Sequence, residues 1–232
     1  MSGKTIRIAS YNVRKARGLD QRRNPGRILE VVNGLGADVV VLQEADKRLG
    51  QRPTALPREL IEAETDLSLV ELGNDGPGIG WHGNAVLVGR DIEVEGIDRL
   101  DLPGLEPRGA VRIRLAGGLT LVGTHLGLRR QDRLAQLAAL EAATAGDARC
   151  VIAGDFNEWS RNRGFEPLLP RFEVHSPGRS FHARRPIAAL DRFALSPGLV
   201  LRDAGVEEGR LARIASDHLP VWSEIAISPP TC

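Results

Sequence analysis

Cysteine is scarce in this 232-residue sequence, which contains only Cys150 and Cys232. Cys150 lies inside an apolar segment and Cys232 is the last residue, so the pair is a poor basis for a disulfide framework. We therefore expect a protein that folds without disulfides and resides in a reducing compartment.

Net charge and aromatic residues are also low. The 31 lysines and arginines balance 30 aspartates and glutamates, for a net charge of +1, and aromatic residues make up 4% of the chain. Such a chain has no overall field that would draw it to nucleic acid or to anionic lipid, although a local basic groove remains open. Few aromatic residues also argue against the stacking platforms of extended nucleic-acid binding. Lysine is rare, at Lys4, Lys15 and Lys47, and we attribute this bias to codon composition.

Long apolar runs are missing as well. No run approaches the roughly 20 residues needed to span a bilayer. The segment Met1–Thr5 leads directly into a strand pattern without the apolar block of a signal peptide. We expect a soluble, cytoplasmic protein without a transmembrane segment, and we expect it to be a monomer.

The remaining composition favours one α/β domain spanning residues 1–232. With 42% hydrophobic residues the chain can bury a sizeable core, and helix and strand patterns are intermixed without an internal repeat. Helices are predicted over residues 24–35, around 60–61 and over 131–145. Strands are predicted over 5–12, 37–44, 69–72, 84–88, 92–102, 110–115, 119–124, 150–153, 188–195, 199–201 and 220–227.

The segment Ala148–Asn157 shows how a predicted strand leads into polar residues. The apolar strand Cys150–Ala153 runs into Gly154, which would let the backbone turn sharply, and then presents Asp155 and Asn157. Residues at alternate positions of an extended chain point to the same side, so this carboxylate and amide would share a direction. A simple Asp-x-Asn turn bonded to its own backbone explains the same residues equally well.

Polar side chains recur at six separate predicted strand ends, which loop structure alone explains less easily. Any single one could cap a turn, tie down a loop or be a hydrogen-bonded core residue. If the strand ends meet, they bring together two amides, four carboxylates and two imidazoles. These candidates are Asn12, Glu44, His125, Asp155 with Asn157, Asp191, and Asp217 with His218.

Eight short motifs contain these candidates and follow one another along nearly the whole chain. They are Ser10-Tyr11-Asn12-Val13, Gln43-Glu44, Gly83-Asn84-Ala85-Val86-Leu87, Arg108-Gly109-Ala110, Gly123-Thr124-His125-Leu126, Gly154-Asp155-Phe156-Asn157, Leu190-Asp191 and Ser216-Asp217-His218-Leu219-Pro220-Val221. In this order they resemble the endonuclease/exonuclease/phosphatase superfamily, the fold of deoxyribonuclease I, exonuclease III, neutral sphingomyelinases and inositol polyphosphate 5-phosphatases. The resemblance implies an α/β (α+β) four-layer sandwich. In it, two mixed β-sheets pack face to face with helices outside and the active site at one end.

The chemistry of such a site can be argued beside the resemblance. Cleaving a phosphate ester with water requires a hard cation, an oriented nucleophile and donors for the developing charge. Glu44 would bind Mg²⁺, with Asn12 adjacent and Asp217 contributing to a second site, and Mn²⁺ could substitute. Oxygen ligands without cysteine argue against zinc.

The resemblance assigns roles to the other candidates. Asp155 would orient or deprotonate the attacking water, and Asn157 would donate to a phosphate oxygen. In the family pattern Asp191 pairs with His218 and favours its protonated form, so that the ring would steady the phosphate charge.

The motif that contains His125 differs between branches of the superfamily. Exonuclease III-like members have a tyrosine-containing motif in this region, whereas Thr-His-Leu is similar to the branch with deoxyribonuclease I, sphingomyelinases and inositol phosphatases. His125 would then bind phosphate or protonate the leaving group. Deoxyribonuclease I supports its histidine with a glutamate, and residues 78–86 contain no acidic residue. Asn84, Arg108 and His82 are the candidates for substrate binding.

We therefore predict a Mg²⁺-dependent phosphoester hydrolase, and a phosphodiesterase in particular. Its partner would be a phosphoester in a lipid headgroup, a nucleic acid or a small molecule, so a nuclease and a soluble phosphomonoesterase remain alternatives. A non-catalytic protein that kept the fold would be expected to lack a catalytic side chain, and none of those named above is missing. Specificity is expected to lie in loops 51–57, 73–83 and 159–186.

Overall fold

Two six-stranded mixed sheets pack face to face in the computed structural model, which describes residues 5–47, 50–73 and 76–227. In chain order the strands are β1 (Thr5–Asn12), β2 (Val39–Gln43), β3 (Leu67–Leu69), β4 (Ala85–Gly89), β5 (Val94–Leu102), β6 (Arg108–Leu115), β7 (Leu119–His125), β8 (Cys150–Asp155), β9 (Glu173–His175), β10 (Asp191–Leu195), β11 (Leu199–Val206) and β12 (Val221–Ile227). The helices are α1 (Pro25–Gly34), α2 (Arg58–Glu64), α3 (Arg130–Ala143) and α4 (Ala212–Ala215), with a 3-10 turn at Arg14–Ala16.

Each sheet has a parallel pair of strands at its centre. The first sheet has the order β11-β12-β1-β2-β4-β3 and the second β5-β6-β7-β8-β10-β9. Strands β1 and β2 pair in parallel, as do β7 and β8, and the other neighbours are antiparallel. This arrangement confirms the predicted sandwich of two mixed sheets.

Three apolar layers separate the four layers of structure. The middle layer lies between the sheets and contains residues such as Ile8, Val41 and Val151. Helix α1 covers the outer face of the first sheet, and α3 covers the second through Leu137 and Leu140. Helix α1 begins as predicted after a capping asparagine whose side chain accepts a backbone hydrogen bond. No helix within the described ranges is long and apolar enough to cross a membrane.

Side chains alternate between the two faces of each central strand, and this alternation determines which residues end the layer between the sheets. Successive side chains of a strand point to opposite faces, so Ile6 and Ile8 of β1 face the second sheet while Ala9 faces the helices. The same alternation continues to Asn12 at the end of β1. In β8 it runs from Val151 through Ala153 to Asp155. The inter-sheet layer therefore ends in polar side chains contributed by both sheets.

Gly154 does not turn the chain as predicted, because β8 continues through it to Asp155. Its φ is +153°, and a Cβ at this position would lie 1.9 Å from the carbonyl oxygen of Thr124 on β7. The glycine is needed for this close approach of two parallel strands rather than for a turn.

Several predicted boundaries also move. The strand predicted over 69–72 is found at Leu67–Leu69, and Asp191 begins β10 instead of lying inside a longer strand. The pairing of β10 with β8 sets that start, because Asp191 lies opposite Asp155. The sequence pattern did not reveal β9 or α4, which have three and four residues. Elements this short carry too few residues for a periodic signal.

The thiol of Cys150 should be chemically inert in the folded protein. The residue is fully buried, and burial raises the pKa of its thiol to about 12. The other cysteine, Cys232, lies outside the described residues. In a Cys232→Ser variant, we expect the remaining thiol to react with an aromatic disulfide reagent at neutral pH only after denaturant is added. Rapid labelling of the native variant would contradict this burial.

Candidate active site

The carboxylate of Asp155 is the point at which the polar strand ends meet. Its Oδ2 accepts a hydrogen bond from Asn12 Nδ2 at 3.0 Å. The Nε2 atoms of His125 and His218 lie 3.4 and 3.6 Å from the same oxygen. All four side chains are almost completely buried. Side chains from two strands and one loop therefore converge on one oxygen atom at the end of β8.

Strand register explains most of this convergence. His125 at the end of β7 pairs with Asp155 at the end of β8, and Asp191 at the start of β10 pairs with Asp155 from the other side. His218 precedes β12, in a segment tied to β1 by a hydrogen bond from Ser216 Oγ to the Asn12 carbonyl at 2.7 Å. Adjacent positions in a sheet thus become neighbours in the site.

The Asp155-Phe156-Asn157 segment forms a turn and also contributes to the site. Asp155 Oδ1 accepts a hydrogen bond from the Asn157 backbone N–H at 2.9 Å, and Asn157 has a φ of +51°. The chain is therefore not extended here, and the expected shared direction of the two side chains does not arise from strand alternation. The Asn157 amide instead donates to the Leu126 carbonyl at 2.9 Å, which joins the loops after β7 and β8.

His218 is held in a buried ion pair. Its Nδ1 lies 2.9 Å from Asp191 Oδ2, which also accepts a hydrogen bond from Ser180 Oγ. Burial by itself would lower the pKa of His218, but the charges of Asp191 and Asp155 outweigh it and raise the pKa from 6.5 to about 10. The ring is therefore a cation at neutral pH.

Two further carboxylates, Glu44 and Asp217, carry basic partners. Lys15 Nζ forms an ion pair with Glu44, and Arg14 Nε lies 3.2 Å from Asp217 Oδ2. Arg14, Lys15 and Ala16 have φ values of 47°, 56° and 56°, a left-handed backbone that costs on the order of 1–3 kcal/mol per residue. This turn places two cations directly against two of the predicted metal ligands.

A cleft of about 270 Å³ opens beside His125 and Glu44. Arg108 is almost fully buried at its wall and pairs with Glu106 at 2.8 Å. His82 lies across the cleft, with Nε2 3.1 Å from Asp101 Oδ1. The basic residues and histidines that line the cleft are Lys15, Lys47, Arg52, His82, Arg108 and His125. Three carboxylates, Glu44, Asp46 and Glu106, line the same cleft, so its wall offers both donors for a phosphate and oxygen ligands for a cation.

Asn84 lies apart from this cleft lining and bridges the two sheets. It is fully buried, and its Nδ2 donates to the carbonyls of Gly109 at 2.9 Å and Trp81 at 3.1 Å. Both amide hydrogens are thus used by the backbone. Its Oδ1 has no hydrogen-bond partner among the described residues.

Comparison with known proteins places this arrangement in a family. Residues 9–218 match the model of the Endonuclease/Exonuclease/phosphatase family. The chain belongs to this family. It is 31% identical over 162 residues to the uncharacterized protein YbhP of Escherichia coli strain K12. That match covers 63% of the chain and 63% of YbhP, so the chain spans less than two thirds of this relative.

Two solved structures share the fold at lower identity. The endonuclease/exonuclease/phosphatase family protein from Bacteroides thetaiotaomicron superposes with a TM-score of 0.78 at 16% identity, covering 99% of this chain and 100% of that one. The human Nocturnin catalytic domain, solved with a bound sulfate anion, gives a TM-score of 0.70 at 18% identity, covering 97% and 95%. These likenesses support the same sandwich in all three proteins.

Two groups of side chains in this family member could hold a divalent cation. Ligand atoms of Asp155, Asp191 and His218 lie within 4.8 Å of one another. A protonated imidazole has no lone pair for a metal, however, and its Nδ1 is already bonded to Asp191. Glu44 and Asn12 offer oxygens, and basic side chains already lie against the carboxylate of Glu44 and that of nearby Asp217. This donor chemistry fits Mg²⁺.

Sequence reasoning missed three side chains that complete the site. Lys15 is one of only three lysines, and this rarity was a usable signal. Glu106 lies two residues before its partner Arg108, a spacing that could have suggested the pair. Ser180 lies in an irregular segment, and no local pattern connects it to Asp191.

The raised pKa of His218 predicts a specific loss of stability with rising pH. Below pH 6.5 both the folded and unfolded chains hold the proton, whereas between 6.5 and about 10 only the folded protein does. The stabilisation of the folded protein by this proton should therefore be complete below pH 6.5. As the pH rises towards 10, the free energy of unfolding should fall by at most about 1.4 kcal/mol per pH unit on account of His218. Urea unfolding in EDTA at several pH values measures this slope.

In a His218→Gln variant, this part of the pH dependence of the free energy of unfolding should be absent, whatever the absolute stability of the variant. His175→Gln, on the edge strand β9, is the matched control and should retain it. Equal slopes in the wild type and in His218→Gln would show that the Asp191 pair does not hold the proton.

Proposed function

We propose that this protein is a Mg²⁺-dependent phosphoester hydrolase, and a phosphodiesterase in particular. The observation that carries the proposal is the convergence of Asn12, His125 and His218 on one buried oxygen of Asp155. A buried carboxylate surrounded by an amide and two imidazoles, beside a cleft that carries basic side chains, provides both a base and anion-stabilising donors. Membership of the family supports the same chemistry.

Glu44 and Asn12 would hold the cation, and Asp217 would contribute to a second site. When bound, Mg²⁺ would neutralise phosphate charge and polarise the ester. Lys15 pairs with Glu44 and Arg14 pairs with Asp217, so these ion pairs would have to break when the carboxylates bind the ion. The chain thus keeps the carboxylates charge-balanced in the absence of metal.

Asp155 would act on the attacking water. The hydrogen bond from Asn12 and the Asn157 backbone N–H fix both carboxylate oxygens, so the acceptor is oriented before substrate arrives. As the water oxygen forms a bond to phosphorus, its proton passes to Asp155 and the bond to the leaving oxygen breaks. Orientation and general-base action are the two contributions of this residue.

The two histidines would act on the phosphate. His218, kept protonated by Asp191, would stabilise negative charge on the non-bridging oxygens. His125 lines the cleft and would bind phosphate or protonate the leaving oxygen. Arg108 and His82 lie on the same cleft and would contact substrate. The amide of Asn157 would add a donor, whereas Asn84 holds the sheets together.

Activity tests this proposal directly. We expect EDTA-sensitive hydrolysis of bis(p-nitrophenyl) phosphate, with faster turnover than of the monoester p-nitrophenyl phosphate. Asp155→Asn preserves the shape of the side chain but removes the base, so kcat should fall by about 10²- to 10⁴-fold. Asp66→Asn, in an exposed turn before β3, should leave kcat unchanged. A folded Asp155→Asn protein with wild-type activity would refute the mechanism.

Calorimetric titration with Mg²⁺ and Mn²⁺ distinguishes the two candidate cation sites. Glu44→Gln should weaken binding on the order of tenfold or more, because it removes the ligand charge. Asp191→Asn should have little effect, because that carboxylate is committed to His218. Weaker binding in Asp191→Asn but not in Glu44→Gln would instead assign the ion to the buried group of Asp155, Asp191 and His218. If the wild type bound neither ion, a non-catalytic member of the family would be favoured.

A further inference from the structure

Four loops leave the second sheet at the edge where the site lies. They are residues 103–107 before β6, 126–129 after β7, 156–163 after β8 and 181–188 before β10. The register makes this edge common to all four, because Ala110 pairs with Thr124, His125 with Asp155, and Asp155 with Asp191. We call these loops the rim.

The rim carries the four most exposed large apolar side chains of the described residues. Leu105, Leu128, Trp159 and Ile187 are 76%, 66%, 60% and 58% exposed. Such side chains are individually common on protein surfaces, and Leu169, at 56%, is nearly as exposed away from the rim, but here four of them lie on adjoining loops of one edge. The rim therefore offers apolar groups to something other than water.

Contacts among the loops join these tips into one surface. The Leu128 backbone N–H donates to Glu106 Oε1 at 3.2 Å, which ties the first two loops together. The Asn157 amide ties the second to the third. The Trp159 ring packs on Phe181, with centroids 6.0 Å apart, and Phe181 lies 5.0 Å from the His218 ring. The Trp159 tip is thus linked to the site through Phe181, and the loops that carry Leu105 and Leu128 are hydrogen-bonded to each other.

The same loops concentrate positive charge. Arg129, Arg161, Arg184 and Arg185 are exposed, and their side chains form no ion pair with other described residues. The acidic residues of the rim are already neutralised, because Glu106 pairs with Arg108 and Glu158 with Arg133 at 2.7 Å. The rim is strongly cationic although the whole chain has a net charge of +1.

We propose that the rim docks the protein on an anionic lipid bilayer, with the apolar tips entering the interface and the arginines facing lipid headgroups. Exposed aliphatic and tryptophan side chains beside unpaired basic residues are the combination that such a surface binds. Nucleic acid fits less well, because Leu105, Leu128 and Ile187 cannot stack on bases. Docking would bring the cleft to headgroup phosphoesters, a consequence that rests on the proposed function.

Vesicle co-sedimentation in EDTA tests docking without any need for hydrolysis. The full chain should bind vesicles of phosphatidylcholine with about one-third phosphatidylglycerol, and bind pure phosphatidylcholine weakly. Arg184→Gln/Arg185→Gln and Leu128→Ser/Ile187→Ser should each lower the partition coefficient on the order of tenfold. Both variants should keep the circular dichroism spectrum and the urea-unfolding midpoint of the wild type, which shows that they fold.

The matched controls lie away from the rim. Leu169→Ser removes a comparably exposed leucine, and Arg202→Gln removes an exposed arginine from β11 in the other sheet; neither should change binding. Equal binding by wild type and rim variants, or no binding to anionic vesicles, would overturn the proposal. So would loss of binding in the arginine variant alone together with tight binding of single-stranded DNA, which would assign the rim to nucleic acid.

Discussion

The hydrogen bond from Asn12 to Asp155 depends on how closely the two sheets approach each other. It joins β1 of one sheet to β8 of the other, residues 143 positions apart in the chain. Gly123 on β7 permits the approach, because a Cβ there would lie 2.5 Å from Val41 Cγ1 on β2. A slip of one residue in either strand would turn its polar end away from the site. The packing of the apolar layer therefore sets the geometry of the catalytic candidates.

Burying this many ionisable groups is tolerable only because each has a partner. An isolated buried charge would cost several kcal/mol, and Asp191 compensates His218 while Asp155 lies near two imidazoles and an amide. The same logic extends outward, since Glu158 in the loop after β8 pairs with Arg133 of α3. Charge pairing thus holds the site and its loops in one arrangement.

The net charge of the whole chain does not describe the charge of the loops around the cleft. A net charge of +1 indicates no overall field, and that remains true of the molecule as a whole. The two acidic residues of the rim, Glu106 and Glu158, are nevertheless paired with Arg108 and Arg133, whereas several arginines of the rim form no ion pair with other described residues. The net charge does not reveal this difference between paired acidic and unpaired basic residues, because it takes no account of which loops lie at the same edge of the sheet.

The sequence by itself indicated the family, because its eight motifs follow the family order, and the sandwich followed as what that resemblance implies. It also brought Asn12, His125, Asp155 and His218 forward as candidates, and the structure groups them. It missed the reason for Gly154 and the presence of Lys15 beside Glu44, which arise from contacts with other strands and turns. Only the tertiary structure decided that Asn12, His125 and His218 approach one oxygen of Asp155 and that the four most exposed apolar tips share an edge. Both depend on strand register and sheet packing between residues far apart in the chain, which no local pattern encodes.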